Sequence, residues 1–353
     1  MLYEAQEVYN KLQDEISRVL FTARINYSTT GDAKYILDIP MQYRNLNADI
    51  EQFAKAVNNM NNNGVAIFGA GNNGIAIARY FSKVNYTTFI DNYKKEGIEP
   101  VTGLPCVNLD EYIKKYGKRE NCIIISMSNR EDIEMVRKQL INAGIPQDKI
   151  VEMIPDWRNN SSQYFDFFAP RLNEVFVDCG CYDGATAYRF AAWCGKIGYE
   201  KIYSFEPDLK SYEKCKRLLE GLHDCVLYPY GISDSHKNVY FQTSGNEDAR
   251  IVSNEGIEIE SNIGKIEVIA LDDIIGDNRV TYIKMDIEGA EYDALVGAEK
   301  IIRTQKPRLA ISIYHNSEHI VSIPKLLLSY RPDYRFWIRH YSLMPNETIL
   351  YAE

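Results

Sequence analysis

The turn Asp178-Cys179-Gly180-Cys181-Tyr182-Asp183-Gly184 joins an apolar, strand-like run to the helical run "ATAYRF". In an open parallel sheet, ligands sit beyond the carboxyl ends of the strands, and glycine in the turn after the first strand lets the backbone approach them. A dinucleotide turn carries Gly-x-Gly-x-x-Gly, which lets backbone N–H groups cradle a pyrophosphate at the helix start. This turn lacks that spacing, and Asp183 places negative charge where a phosphate would be repelled. It suits a cationic ligand such as S-adenosylmethionine, which has an amine and a sulfonium but no phosphate. Glu206 ends the next strand-like run, "KIYSFEP", and a carboxylate there is shaped to accept both hydroxyls of a ribose. Taken singly, Asp178 reads equally well as a helix cap and Glu206 as a solvated loop residue; at the spacing of successive strands they favour a cofactor site together. A third strand-turn-helix pattern, "YIKMDIEGAEYDAL" (282–295), sets Lys284, Asp286 and Glu288 at period two, which on an extended strand aims all three into one cleft. Glu288 and Glu291 also fall where carboxylates favour a helix start, and Glu291 is read as structural.

The elements that must position these groups follow from hydrophobic periodicity. Residues 1–60 read as a helical arm, with Val8, Leu12, Ile16, Val19, Leu20 and Ala23 on one face, fit for packing or for forming a homodimer. Residues 61–153 alternate strands and helices, as a parallel sheet covered by helices does. Residues 154–172 lose the pattern and read as a linker, and a second alternation fills 173–353. Between "GISD" and "LDDIIG", the runs "NVYFQTS" and "KIEVIAL" alternate like a β-hairpin. The expected fold class is therefore α/β, with two doubly wound Rossmann-like domains, a β-hairpin insertion in the second, and an amino-terminal helical arm.

Composition narrows the partners. The 353 residues are 45% apolar and 25% charged, and a net charge of −9 with a pI near 5.3 argues against a nucleic-acid backbone, leaving a small molecule or sugar. No apolar run is long enough for a membrane span, and Glu4, Glu7, Asp14 and Glu15 interrupt any signal-peptide core, so a cytoplasmic location without membrane attachment is expected. Seven cysteines without repeated CxxC spacing read as buried thiols.

With "FVDCGCYDGATA", "SFEPD" and "IKMDIEGAEYDAL" in this order, residues 170–353 resemble the FkbM family of S-adenosylmethionine-dependent methyltransferases. The resemblance implies the class I methyltransferase fold and O-methylation of sugars or other hydroxyl-bearing metabolites, as in polysaccharide or secondary-metabolite biosynthesis. By matching positions, Asp178, Gly180, Tyr182 and Gly184 would line the methionine side of the cofactor, and Glu206 with Pro207 the ribose. Gly231 to Asp234, Ser233 included, would face the adenine, and Asp286 and Glu288 the reaction cleft. Cys179 and Cys181 depart from the small or aliphatic residues of many relatives.

A hydroxyl is a poor nucleophile at neutral pH, so a general base is expected: Asp286 first, His315 in "ISIYHN" second, and His340 as a more remote candidate. The chemistry is expected to be metal-independent; a divalent metal on Asp286, Glu288 and His315 is the alternative. The first domain holds its own motif, "VAIFGAGNNGIAIARYF", with Gly69, Gly71 and Gly74 in Gly-x-Gly-x-x-Gly order, Asn72 within it, and Asp91 22 positions after Gly69. It is similar to the small amino-terminal domains of sugar acyltransferases and to NAD domains. A nucleotide-sugar, NAD, or a scaffold whose glycines only permit tight packing are all compatible with it. The rival function is accordingly a nucleotide-sugar-binding protein or NAD-dependent oxidoreductase acting through residues 65–91, although no Tyr-x-x-x-Lys pair accompanies the motif.

Overall fold

The computed structural model describes residues 2–32, 34–45, 64–81, 84–94, 96–117, 122–127, 130–152, 163–242, 250–252, 263–342 and 345–353. The expectations for residues 46–60 and 154–162 lie outside these. The chain divides into two compact units, one of residues 1–32, 162–340 and 346–353, the other of residues 33–161 and 341–345. These boundaries differ from those read off the sequence, because the first 32 residues group with the carboxy-terminal part of the chain. No helix among the described residues is long and apolar enough to cross a membrane.

The amino-terminal periodicity predicts one continuous helix face, yet the chain forms two helices, α1 (Leu2–Lys11) and α2 (Glu15–Thr30). Asp14 makes the break: its backbone is extended and its carboxylate accepts the Ser17 N–H at 2.8 Å, capping α2. The break rotates the buried face, so Ser17, Phe21 and Arg24 are buried where Ile16, Val19 and Ala23 are only half-buried. Between the helices, Leu12 bridges to Phe336 and the Gln13 N–H donates to the Phe336 carbonyl at 3.0 Å. The chain thereby supplies partners to a sheet edge that would otherwise be open to pairing with other chains.

The unit of residues 33–161 holds α3 (Lys34–Leu37), β1 (Val65–Phe68), α4 (Asn72–Tyr80), β2 (Tyr86–Ile90), β3 (Gly97–Ile98), β4 (Pro105–Val107), α5 (Leu109–Tyr116), β5 (Cys122–Ile125), α6 (Arg130–Asn142) and β6 (Ile150–Glu152). Its sheet runs β3-β4-β2-β1-β5-β6 and is parallel except for β3. β1 is buried along its whole length, as a central parallel strand covered on both faces should be.

The other unit continues with β7 (Glu174–Cys179), α7 (Ala185–Cys194), β8 (Tyr199–Phe205), α8 (Leu209–Leu219), β9 (Cys225–Tyr228), β10 (Gly231–Ile232), β11 (Lys237–Gln242), β12 (Arg250–Val252) and β13 (Ile263–Ile269). After these come α9 (Leu271–Ile275), β14 (Tyr282–Met285), α10 (Glu291–Val296), α11 (Glu299–Gln305), β15 (Arg308–Ser312), α12 (His319–Tyr330), β16 (Phe336–His340) and β17 (Thr348–Ala352). The main sheet runs β16-β17-β15-β14-β7-β8-β9, with β17 antiparallel to both neighbours. The run "CVLYPYGIS" divides at Pro229, which has no N–H for a ladder: β9 stays in the main sheet and β10 joins a second one, β10-β13-β11-β12. The hairpin read from alternation is the antiparallel pair β11 and β13.

From β7 the chain steps outward through β8 and β9, then returns to β14 on the opposite side of β7. Strand order reverses between β7 and β14, and ligands of such sheets bind outside the carboxyl ends of the strands at this point.

Candidate active site

The turn after β7 lies on the turn after β14, and the contact dictates glycine. Gly180 has φ +77°, and a Cβ there would stand 2.2 Å from the Asp286 carbonyl oxygen. Gly184, at φ +86°, begins α7, and a Cβ there would sit 3.1 Å from Cys215 Sγ. Between them, Tyr182 takes a left-handed conformation at φ +50° although it has a side chain. Its N–H donates to Glu206 Oε2 at 2.8 Å, while the Asp208 N–H donates to Oε1 at 2.9 Å. The glycine turn and the acidic strand end, read separately in the sequence, are thus joined by a hydrogen bond. Glu206 is 7% exposed, and burial, only partly offset by the Asp208 and Tyr182 N–H groups, raises its pKa to about 7. Each carboxylate oxygen has a further lone pair for a ligand. Pro207 lies against Gly231, where a Cβ would be 3.7 Å away. Ser233 is buried, and the Asp234 carboxylate is held by Ser233, Ser235 and Lys237.

Two expectations for this region are corrected. Asp178 and Lys284 do not line a cleft: they are 0% and 2% exposed and form an ion pair at 3.1 Å, and Lys284 Nζ also donates to the Gly180 carbonyl at 2.6 Å. Burial acts to lower the Lys284 pKa, but the nearby Asp178 and Asp286 charges outweigh it and raise it, so the lysine stays charged. The negative charge of Asp178 is therefore balanced inside the protein. A preference of the turn for cations has to come from Asp183, Glu206 and Asp286 instead. The period-two reading fails because β14 ends at Met285; Glu288, at φ +55°, belongs to a tight turn, and alternation holds only on extended backbone.

Asp286 gathers a second cluster. Tyr164 OH donates to its Oδ2 at 2.7 Å and Tyr314 OH to its Oδ1 at 3.3 Å, and Tyr314 also reaches Glu347 at 3.4 Å. Burial first, then the Asp286 and Glu347 charges, hold both phenols well above their usual pKa, so they act as donors. His315 joins from the segment after β15. Its Nδ1 is 2.8 Å from Glu291 Oε1, and its Nε2 lies 3.5 Å from Asp286 and 3.4 Å from Glu288. Burial acts to lower the His315 pKa, but Glu288, Glu291 and Asp286 outweigh it and raise it to about 11. With a proton on each ring nitrogen, His315 cannot serve as the general base for which the sequence proposes it. Glu291 is fully buried between His315 and His319 and accepts the Ile287 N–H at 3.0 Å. Burial pushes its pKa up, and the two histidines with the Ile287 N–H more than reverse this, to about 2. His340 is fully buried with Nδ1 2.9 Å from Thr348 Oγ1, a contact between β16 and β17.

In the other unit, packing accounts for two of the three motif glycines. A Cβ on Gly74 would lie 2.0 Å from the Gly69 carbonyl oxygen, and one on Gly69 (φ +106°) 2.5 Å from Ser126 Oγ. Gly71, before Asn72 at the start of α4, has open space around it. Asp91 accepts N–H bonds from Ala70, Tyr93 and Lys94, so its carboxylate closes the glycine turn.

Sequence reasoning passed over Tyr164, Tyr314, Glu347 and the pairing of Lys284. Tyr164 stands 122 positions from Asp286, and nothing in local spacing announces such a contact. Lys284 carried a readable signal: a lone lysine inside the otherwise apolar strand "YIKM" needs a buried counter-charge.

Residues 178–340 match the family described as the Methyltransferase FkbM domain. Over 162 residues the chain is 26% identical to the 2-O-methyltransferase NoeI of Sinorhizobium fredii, covering 41% of this chain and 64% of that protein. The crystal structure of Methyltransferase FkbM from Methylobacillus flagellatus KT aligns with a TM-score of 0.50 and 18% identity, over 94% of this chain and 98% of that one. The mixed α/β fold with parallel sheets is that of class I methyltransferases.

Proposed function

We propose, from the premise that residues 178–340 form an FkbM methyltransferase domain, that the protein transfers a methyl group from S-adenosylmethionine to a hydroxyl of a small acceptor, a sugar or related metabolite. The observation that carries this reading is the joining of three strand ends at the switch point: Tyr182 N–H on Glu206, and Gly180 against Asp286. The residues fit the cofactor, because Glu206 offers two half-used oxygens to a vicinal diol and the turn offers no cation to a diphosphate. Gly180, Tyr182 and Gly184 bring backbone close to the methionine side, and Asp178 acts at one remove by fixing Lys284 beneath the turn. When bound, the cofactor supplies a methyl carbon activated by its sulfonium. The work left to the protein is alignment of the acceptor oxygen, at about 3 Å approach. Asp286, held by the Tyr164 phenol, is placed to receive the acceptor's O–H and orient its oxygen. The name of the Sinorhizobium relative supports an oxygen acceptor.

Calorimetry with S-adenosylmethionine, S-adenosylhomocysteine, NAD and UDP-sugars tests the cofactor assignment. Binding of the two sulfur compounds, lost in Glu206→Ala, is expected; a protein that bound only NAD or a UDP-sugar would overturn it. Transfer of label from the methyl donor to a panel of sugars tests the acceptor class.

A further inference from the structure

Of the three carboxylates around His315, Glu291 accepts a hydrogen bond, while Asp286 and Glu288 stand where ligands of a shared ion would. Its Nδ1 is already engaged by Glu291 at 2.8 Å. Its Nε2 is buried in a side chain only 8% exposed and has no hydrogen-bond partner, because Asp286 Oδ1 and Glu288 Oε2 stand 3.5 and 3.4 Å away. An N–H···O bond spans about 2.7–3.2 Å, so these separations are long for one. Nitrogen and oxygen ligands at about 2.1 Å from one ion lie roughly 3.0–3.4 Å apart between octahedral and tetrahedral geometry, close to the separations found. Each group is also steadied from behind. Tyr164 holds the other oxygen of Asp286, and the buried Glu291 fixes the His315 ring through Nδ1, the arrangement that sets which imidazole nitrogen meets a metal. The ligand atoms already within 4.8 Å of one another are those of Asp286, Glu291 and His315, and the part-exposed Glu288 carboxylate has to turn toward Asp286 to complete the set.

We propose that Asp286, Glu288 and His315 Nε2 hold a divalent transition-metal cation, which displaces the Nε2 proton to solvent on binding, with Glu291 and Tyr164 as its orienting partners. A nitrogen with two carboxylates suits manganese or zinc better than calcium. Open to the cleft through Asp286 and Glu288, which are 23% and 33% exposed, the ion presents free positions to an acceptor hydroxyl and polarises it as a Lewis acid. Asp286 then acts as ligand, and the proposal replaces the metal-independent chemistry expected from the sequence. Its catalytic consequence rests on the methyl-transfer reading, but the site itself does not.

The test is therefore binding of the metal alone. Full-length protein is titrated with Mn2+ by electron paramagnetic resonance and with Zn2+ by calorimetry, and S-adenosylhomocysteine affinity is measured separately. One saturable ion per chain is expected, weakened tenfold or more in Glu288→Gln, whose half-exposed turn position leaves folding intact, and about 10–100-fold in Glu291→Gln. Absence of saturable one-to-one binding of either ion, or binding unchanged in Glu288→Gln and His315→Ala, overturns the proposal. Intact S-adenosylhomocysteine binding in that event leaves the methyltransferase reading standing.

Discussion

At the scale of single residues, Glu206 shows function competing with stability. Its pKa of about 7 in the fold lies above that of an ordinary carboxylate, 4.5, so the folded state favours the protonated form. The sign follows: stability from this group is fully present below the unfolded value and is lost as pH rises through 7. A ribose diol, in contrast, donates best to the ionised carboxylate. Glu206→Gln removes the charge but offers one acceptor oxygen to two backbone N–H donors, so it is expected to leave the melting temperature of the ligand-free protein at pH 8 no higher than wild type while weakening S-adenosylhomocysteine binding by about 1.5–3 kcal/mol, the value of hydrogen bonds to a charged group. Wild-type affinity should rise between pH 6 and 8, and the variant's should not; parallel titrations by calorimetry and scanning fluorimetry check both. The Asp178–Lys284 pair calls for a different experiment. Lys284→Met leaves a buried carboxylate uncompensated and should destabilise the protein by about 3–5 kcal/mol in urea unfolding, much of it recovered by adding Asp178→Asn. A Lys284→Met protein as stable as wild type would mean that the pair is not ionised in the fold.

At the scale of elements, what was legible in the sequence is what local chemistry encodes. The period-two and helical patterns located most strands of the two parallel sheets, though not β3 or β4, together with the hairpin β11/β13 and the turn at 178–184, because burial of alternating or every-third-and-fourth side chains is a local requirement. The break at Asp14 was written there too, as an aspartate followed three residues on by Ser17, but a continuous apolar stripe masked it. Contacts of large sequence separation were not legible. The phenol of Tyr164 on Asp286, and the closure of the Asp91 carboxylate on its own glycine turn, are set by how the strands stack and not by any spacing along the chain. Gly180 belongs to this scale because it lets two turns touch. Gly180→Ala would drive a methyl group to 2.2 Å from the Asp286 carbonyl and force a side chain to φ +77°. The two turns should separate, lowering both the melting temperature and S-adenosylhomocysteine affinity, the latter by about five- to 150-fold for a strain of about 1–3 kcal/mol. Gly71→Ala, at a glycine with open space and no positive φ, is the matched control and should leave stability near wild type.

At the scale of the whole molecule, the chain repeats one architectural plan in two units and uses the glycine turn differently in each. In the unit that holds residues 162–340 the turn leaves Glu206 with acceptor capacity and packs Gly180 against the Asp286 backbone. In the unit of residues 33–161, Gly69 and Gly74 are explained by packing and Asp91 is occupied by three backbone N–H groups. A ligand bound only by the folded state stabilises what it touches, by about 2.7 kcal/mol at a hundredfold excess over its dissociation constant. Hydrogen exchange measured by mass spectrometry with and without S-adenosylhomocysteine should therefore show slowed exchange in peptides spanning β7 to α7, the end of β8, and β14 to α10. Peptides covering β1, α4 and β2 should exchange at unchanged rates. Protection of the 65–91 peptides by S-adenosylhomocysteine would show that binding in one unit reaches the other, while their protection by NAD or a UDP-sugar would show that Gly71 and the start of α4 take a nucleotide despite the way Asp91 is bound.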